Sequence, residues 1–167
     1  AGTASLQSLP TPRENALLYT IYTSGSTGVA KGVDISRSNV RHYQQALSRL
    51  LGINKPLSYA YVSSLSADLG DTSIFLSLLS GGTLHLIDDA TRRDAVRFQG
   101  YLAEHRIDVL KITPSHFVSL CDASHATYQL KWLIFGGESL PADLARSVLL
   151  RGQSLHVANH YGPTETT

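Results

Sequence analysis

Between residues 16 and 158, short apolar runs alternate with helical segments, and this alternation constrains the fold more than any other property of the chain. Strands are expected at 16–22, 58–62, 83–87, 108–112, 132–135 and 154–158, with a shorter one at 32–35. Helices are expected at 37–51, capped by Ser36 and ended by Gly52, at 68–79, stopped by Gly81-Gly82, and at 91–105, 114–120 and 141–150. Short apolar strands with intervening helices specify an α/β chain whose parallel sheet carries helices on both faces. Residues 1–12, with Ser5, Ser8, Pro10 and Pro12, read as a lead-in linker, leaving 13–167 as one folded unit.

Chemistry concentrates at Tyr22-Thr23-Ser24-Gly25-Ser26-Thr27-Gly28-Val29-Ala30-Lys31-Gly32, directly after an apolar run. Glycines let the backbone approach a ligand and aim N–H groups at an anion. The hydroxyls add donors, and Lys31 adds a mobile positive charge suited to phosphate. The spacing is not that of the common P-loop, because Ala30 stands where its second glycine is required and Gly32 where its hydroxyl is required. A flexible Ser/Gly linker would have the same composition, but linkers seldom follow a buried strand or end in Lys-Gly. Ligands in parallel α/β folds bind beyond the carboxyl ends of the strands. The loop after Tyr22, Asp68, Lys111, Gly136-Gly137-Glu138 and the segment from Tyr161 all fall at such ends, which marks them as one site.

The loop resembles the signature of the adenylate-forming enzymes, which include acyl-CoA synthetases, luciferases and the adenylation domains of nonribosomal peptide synthetases. It departs from their usual form at Ala30, where proline is usual. Asn159-His160-Tyr161-Gly162-Pro163-Thr164-Glu165-Thr166-Thr167 resembles a second motif of the family, in the form most like its peptide synthetase branch. The resemblance implies a flavodoxin-like subdomain covering a minority of a full adenylation domain. It implies that Thr23, Ser24, Gly25, Ser26, Thr27, Gly28 and Lys31 embrace the phosphates of ATP, that Thr164 contacts the α-phosphate and that Glu165 holds Mg²⁺. Tyr161, next to Gly162, would stack on adenine against the backbone of Gly136, Gly137 and Glu138. Singly, Gly162-Pro163 and Gly136-Gly137 would read as ordinary turns.

The same resemblance gives Asp68 the role of pairing with a substrate α-ammonium, although Ala67 and Gly70 differ from the family's usual surroundings. A helix N-cap is the structural alternative for Asp68. The other pocket positions map onto Leu69, Thr72, Lys111, Ile134, Gly136 and His160. Lys111 follows a buried-strand run, where a lysine is costly unless an anion meets it or it snorkels to solvent. His160 could equally be a histidine satisfied within the core. Together, Lys111 and His160 offer a cation and a donor to a side-chain carboxylate, and the set resembles the family's aspartate-activating pocket. The implied activity is formation of aspartyl adenylate from L-aspartate and ATP, then loading as a thioester on the phosphopantetheine of a carrier protein. The rivals are a CoA ligase for a small acid and a non-catalytic remnant used as a scaffold.

Composition narrows the partners. Fourteen basic and thirteen acidic residues leave a formal charge of +1, which suggests neither nucleic acid nor membrane as a partner. No apolar run approaches a membrane span of about 18 residues, and the N-terminal residues lack the pattern of a signal peptide. Cys121 is the single cysteine, which excludes an internal disulfide and suits the reducing cytoplasm; it reads as a small apolar filler more readily than as a reactive thiol. Seven scattered histidines show no ligand spacing for a structural metal.

Overall fold

The structure, a computed structural model, describes residues 13–24, 28–64, 67–121, 129–152 and 154–166. The expected linker at 1–12 and the loop residues Gly25, Ser26 and Thr27 lie outside the described residues.

Five strands form the parallel sheet: β3 (Ser58–Tyr61), β4 (Thr83–Leu86), β5 (Val109–Ile112), β6 (Trp132–Gly136) and β7 (His156–His160), in the order β4-β3-β5-β6-β7. Counted from β3 this is 2-1-3-4-5, the flavodoxin-like order, with its topological switch between β3 and β5. The expected fold class holds, including helices on both faces. Because side chains alternate along a strand, Tyr59, Val109 and Ile134 pack on one face with Leu47 and Leu51 of α1 (Arg37–Leu51) and Leu76 of α2 (Asp71–Leu79). Ala60, Leu110, Leu133 and Phe135 pack on the other with Phe98 of α3 (Ala95–Glu104), Phe117 of α4 (Pro114–Leu120) and Val148 of α5 (Ala142–Arg151). Cys121 is buried in that second cluster, as a filler would be.

Local chemistry sets the helix ends. The Ser36 side chain accepts from the Asn39 N–H while the Asn39 side chain accepts from the Ser36 N–H, and Gly52 closes α1 in the left-handed conformation at φ 66°. Asp94, whose carboxylate accepts from the Arg97 N–H, starts α3 and splits the expected 91–105 helix into a short 3-10 turn and an α-helix. The expected 68–79 helix likewise opens as a 3-10 turn at Asp68–Gly70. Asp68 caps nothing there; the residue before the turn is Ala67, and it makes no side-chain cap.

The first strand requires a correction. β1 (Leu17–Ser24) is neither buried nor part of the parallel sheet: it pairs antiparallel with β2 (Ala30–Ser36) as a separate two-stranded ribbon. Leu17, Leu18 and Tyr22 are exposed on it. The glycine-rich loop therefore joins the two strands of a hairpin, with Thr23 opposite Lys31 and Ser24 opposite Ala30. Apolar composition identified a strand, but period and burial depend on neighbours that a local run does not reveal.

Candidate functional site

The sheet register places four of the expected pocket positions side by side. Lys111 pairs with Ile134, and Gly136 pairs with His160. Lys111 is two residues beyond Val109, and Gly136 two beyond Ile134, so both lie on the α1/α2 face. His160 ends β7 two residues beyond Ala158, which packs on that face too. The expected strand end at Ala158 falls short, since β7 continues to His160.

Lys111 is only 6% exposed, which removes the snorkelling alternative. Its Nζ donates to Thr72 Oγ1 at 2.6 Å and to His160 Nδ1 at 3.0 Å. An ammonium has no lone pair, so His160 Nδ1 must be the acceptor, and its ring proton sits on Nε2. Burial lowers the lysine to about 8, against opposing pulls from Asp68 and Asp71. Burial, with the Lys111 charge, lowers His160 to about 4, which keeps the imidazole neutral near pH 7. Asp71 is pushed upward, chiefly by burial. Gly136 is the floor of this arrangement. A Cβ there would lie 3.1 Å from the His160 carbonyl oxygen and from Leu69 Cδ1, and 3.3 Å from Lys111 Cε.

A cavity of about 220 Å³ opens above these residues, lined by Asp68, Leu69, Asp71, Lys111 and His160 together with Tyr43, Gly137, Tyr161, Gly162, Pro163 and Thr166. Thr72 and Ile134 stand behind that lining, both fully or almost fully buried. The Asp68 carboxylate accepts a short hydrogen bond from Thr164 Oγ1, so the closing motif meets Asp68 directly. Two expected residues do other work as well. Glu138 accepts from the Ser115 N–H at 3.0 Å and the Ser115 hydroxyl at 2.6 Å, tying β6 to the start of α4 and holding its own carboxyl below the ordinary range. Gly137, at φ 78°, makes the turn that follows β6.

The residues expected to meet ATP are placed differently. Tyr161 is 90% exposed, and Glu165 is exposed on a 3-10 turn at Thr164–Thr166. Ser24, Gly28 and Lys31 are exposed on the hairpin, with Thr23 half-buried beside them, and none of the four lines the cavity. Sequence reasoning missed Tyr43 and Asp71. Tyr43 falls on the inward stripe of α1 with Val40 and Leu47, a signal that by itself reads as core.

The model for the family of AMP-binding enzymes matches residues 2–167, and the chain belongs to that family. It is 37% identical over 157 residues to surfactin synthase subunit 2 of Bacillus subtilis (strain 168), which covers 90% of this chain and 4% of that protein. It is also 37% identical over 161 residues to the D-alanine–D-alanyl carrier protein ligase of Bacillus velezensis, covering 93% of this chain and 32% of the ligase. A crystal structure of the Vibrio cholerae adenylation domain AlmE in complex with glycyl-adenosine-5'-phosphate matches with a TM-score of 0.80 at 28% identity, over 93% of this chain and 30% of that one. The chain thus spans between 4% and 32% of the length of these relatives. Among the described residues, no helix is long and apolar enough to cross a membrane.

Proposed function

We propose that residues 13–167 are the substrate-binding part of an amino-acid adenylation domain whose whole protein activates L-aspartate. In that reaction the α-carboxylate of aspartate attacks the α-phosphorus of ATP in line, and pyrophosphate leaves to give aspartyl adenylate. The phosphopantetheine thiol of a carrier protein then attacks the acyl carbon, losing its proton as the acyl–phosphate bond breaks, to give the thioester and AMP. A relative named as a D-alanine–D-alanyl carrier protein ligase, and the similar adenylation domain solved with glycyl-adenosine-5'-phosphate, support the class.

The observation that carries the choice of aspartate is the Lys111–His160 pair. Lys111 spends two of its three hydrogens on Thr72 and His160, and His160 keeps an Nε2–H, so the pair retains donors and no acceptor. A carboxylate accepts from both; an amide would turn its own N–H₂ toward donors. Asp68, across the same cavity, supplies the negative charge for the α-ammonium. Its bond from Thr164 sets that ammonium one contact away from the residue proposed to touch the α-phosphate. A CoA ligase for a small acid without an amino group or a second carboxylate would bring no opposite charge to Asp68 or to Lys111.

The exposed Glu165, for which no protein partner is described, fits Mg²⁺, which is commonly bound by one or two carboxylates together with substrate phosphates. When bound, the ion would neutralise phosphate charge. Thr23, Ser24, Gly25, Ser26, Thr27, Gly28 and Lys31 would hold the leaving pyrophosphate, with Tyr161 against adenine. The chain's contribution to catalysis is then position and charge. ATP–pyrophosphate exchange by the full-length protein across the twenty amino acids tests the reading. Aspartate should be preferred, and His160→Glu should shift preference toward asparagine. A wild type that favours an amino acid without a side-chain carboxylate overturns it.

A further inference from the structure

We propose that Tyr43 is a specificity-determining residue of this pocket, its phenol O–H serving as a third donor to the substrate's side-chain carboxylate. The inference rests on the aspartate reading above and adds a residue from α1, outside every segment that marked the site in the sequence.

Hydrogen counting carries it. Thr72 Oγ1 lies 2.6 Å from Lys111 Nζ and 2.6 Å from the Tyr43 hydroxyl oxygen. The first contact must run from the ammonium to the threonine, which leaves the threonine one hydrogen of its own to place. Thr72 is 2% exposed, so water is not available to take it. Among the described residues, the remaining partner of that oxygen is Tyr43. If Tyr43 donated, the Thr72 hydrogen would be buried without an acceptor, at a desolvation cost that folded proteins avoid. The satisfied arrangement runs Lys111 to Thr72 to Tyr43, and it leaves the phenol hydrogen unused.

Tyr43 lines the cavity beside Lys111 and His160, and its ring stacks on the His160 imidazole at 5.9 Å with planes 19° apart. Burial pushes the phenol up to about 12, so it holds its proton at neutral pH. The remaining Lys111 hydrogen, the His160 Nε2–H and the Tyr43 O–H thus form a set of three donors, and the phenol oxygen, already accepting from Thr72, is the one atom among them with a lone pair left. A carboxylate, with roughly four lone-pair sites, can satisfy all three. A side-chain amide offers one oxygen and brings two hydrogens of its own.

The test is ATP–pyrophosphate exchange by the full-length protein with aspartate and asparagine. Tyr43→Phe keeps the ring against His160 and removes only the hydroxyl. The aspartate-to-asparagine ratio of kcat/KM should fall about ten- to a hundredfold, the range for a lost hydrogen bond to a charged group. The loss should sit mainly in the KM for aspartate. If the phenylalanine variant does not fold, 3-fluorotyrosine at position 43, a near-isosteric and stronger donor, should raise the ratio instead. A ratio that either replacement leaves within about twofold of wild type, while wild type still prefers aspartate, overturns the role of Tyr43 alone. A wild type that does not select an acidic amino acid overturns the aspartate reading, and this role falls with it.

Discussion

The two ends of the site are built on opposite principles. At the amino-acid end, Lys111, Thr72 and Ile134 are buried, and their positions follow from sheet register and the packing of α1 and α2. At the proposed nucleotide end, Lys31, Tyr161 and Glu165 are exposed, on a two-stranded ribbon and a short turn outside the sheet. A two-stranded ribbon has little core of its own; this one is fastened where Ile35 is buried and Tyr19 stacks on Phe75 of α2, while its loop end, with Ser24 and Lys31, is exposed. A buried charge network also resists repacking, because a displaced member loses its partner. The proposed amino-acid pocket is thus held by buried hydrogen bonds, whereas the residues proposed for the nucleotide are held by few contacts of their own. In the proposed reading, selectivity falls to the buried end and the phosphate chemistry to the exposed one.

The strongest way to break this contrast is to remove a nucleotide residue. Lys31→Ala and Glu165→Ala, each made in the full-length protein, should lower ATP–pyrophosphate exchange by about 10²–10³-fold, as for loss of a charge-stabilising group. Both residues are exposed, so thermal unfolding should change by no more than about 0.5 kcal/mol. Near-normal exchange would remove the residue from its role, and a large stability loss would show that the exposed end is structural after all.

Lys111→Met should give the reverse pattern. Aspartate selectivity over asparagine should drop by roughly 30- to 1,000-fold, since the charged partner of the carboxylate is gone. Stability should hold or rise by about 1–2 kcal/mol, because a buried ammonium held well below its ordinary value is replaced by an apolar chain of similar length. A clear loss of stability on chemical denaturation would mean that the Thr72 and His160 hydrogen bonds outweigh the burial of the charge.

The pH dependence sharpens the same point. With Lys111 at about 8 in the free protein, the KM for aspartate should rise up to tenfold per pH unit above 8, while that for asparagine stays flat. Stability should move the other way. The unfolded lysine binds its proton up to its ordinary value near 10.4, so the unfolded state holds more protons between pH 8 and that value, and stability rises with pH there. For His160, at about 4 when folded and ordinarily near 6.5, the unfolded state holds more protons between those limits. Stability should therefore fall as pH drops through that window, by on the order of 1 kcal/mol once solvent screening of a half-buried ring is allowed for. A profile for aspartate that matches that for asparagine would detach Lys111 from selectivity.

The smallest effects separate two glycines. At Gly70, next to Asp71, a Cβ would sit 2.2 Å from Tyr61 Cε2, and Tyr61 is buried. Gly70→Ala should cost about 1–3 kcal/mol through overpacking. Gly28 has φ +78° but open space around it, so Gly28→Ala should cost about 1 kcal/mol or somewhat more, through backbone strain alone. Equal losses in thermal melts would erase the difference in packing between the two ends.

Much of this was legible in the chain itself. The alternation of apolar runs with capped helices determined the α/β class, because hydrophobic period and capping chemistry act over a few residues. Ser36, Gly52 and Pro114 mark helix ends where expected for that reason. The two end motifs pointed to the family that the match over residues 2–167 shows, since glycine-rich and hydroxyl-rich segments are chemical statements that need no fold to read. Three things waited for tertiary structure. The 16–22 run became a strand of an exposed antiparallel ribbon, because pairing partners are non-local and composition does not choose among them. Lys111 could be taken for a solvent-seeking strand end until register set it beneath Thr72 and beside His160. Tyr43 entered the site only through the packing of α1 on the sheet, and in the sequence it is one more apolar position of an amphipathic helix. Sequence determines which groups are available and which segments are regular. Which of those groups share a hydrogen bond depends on contacts between residues tens of positions apart, and only the folded sheet decides them.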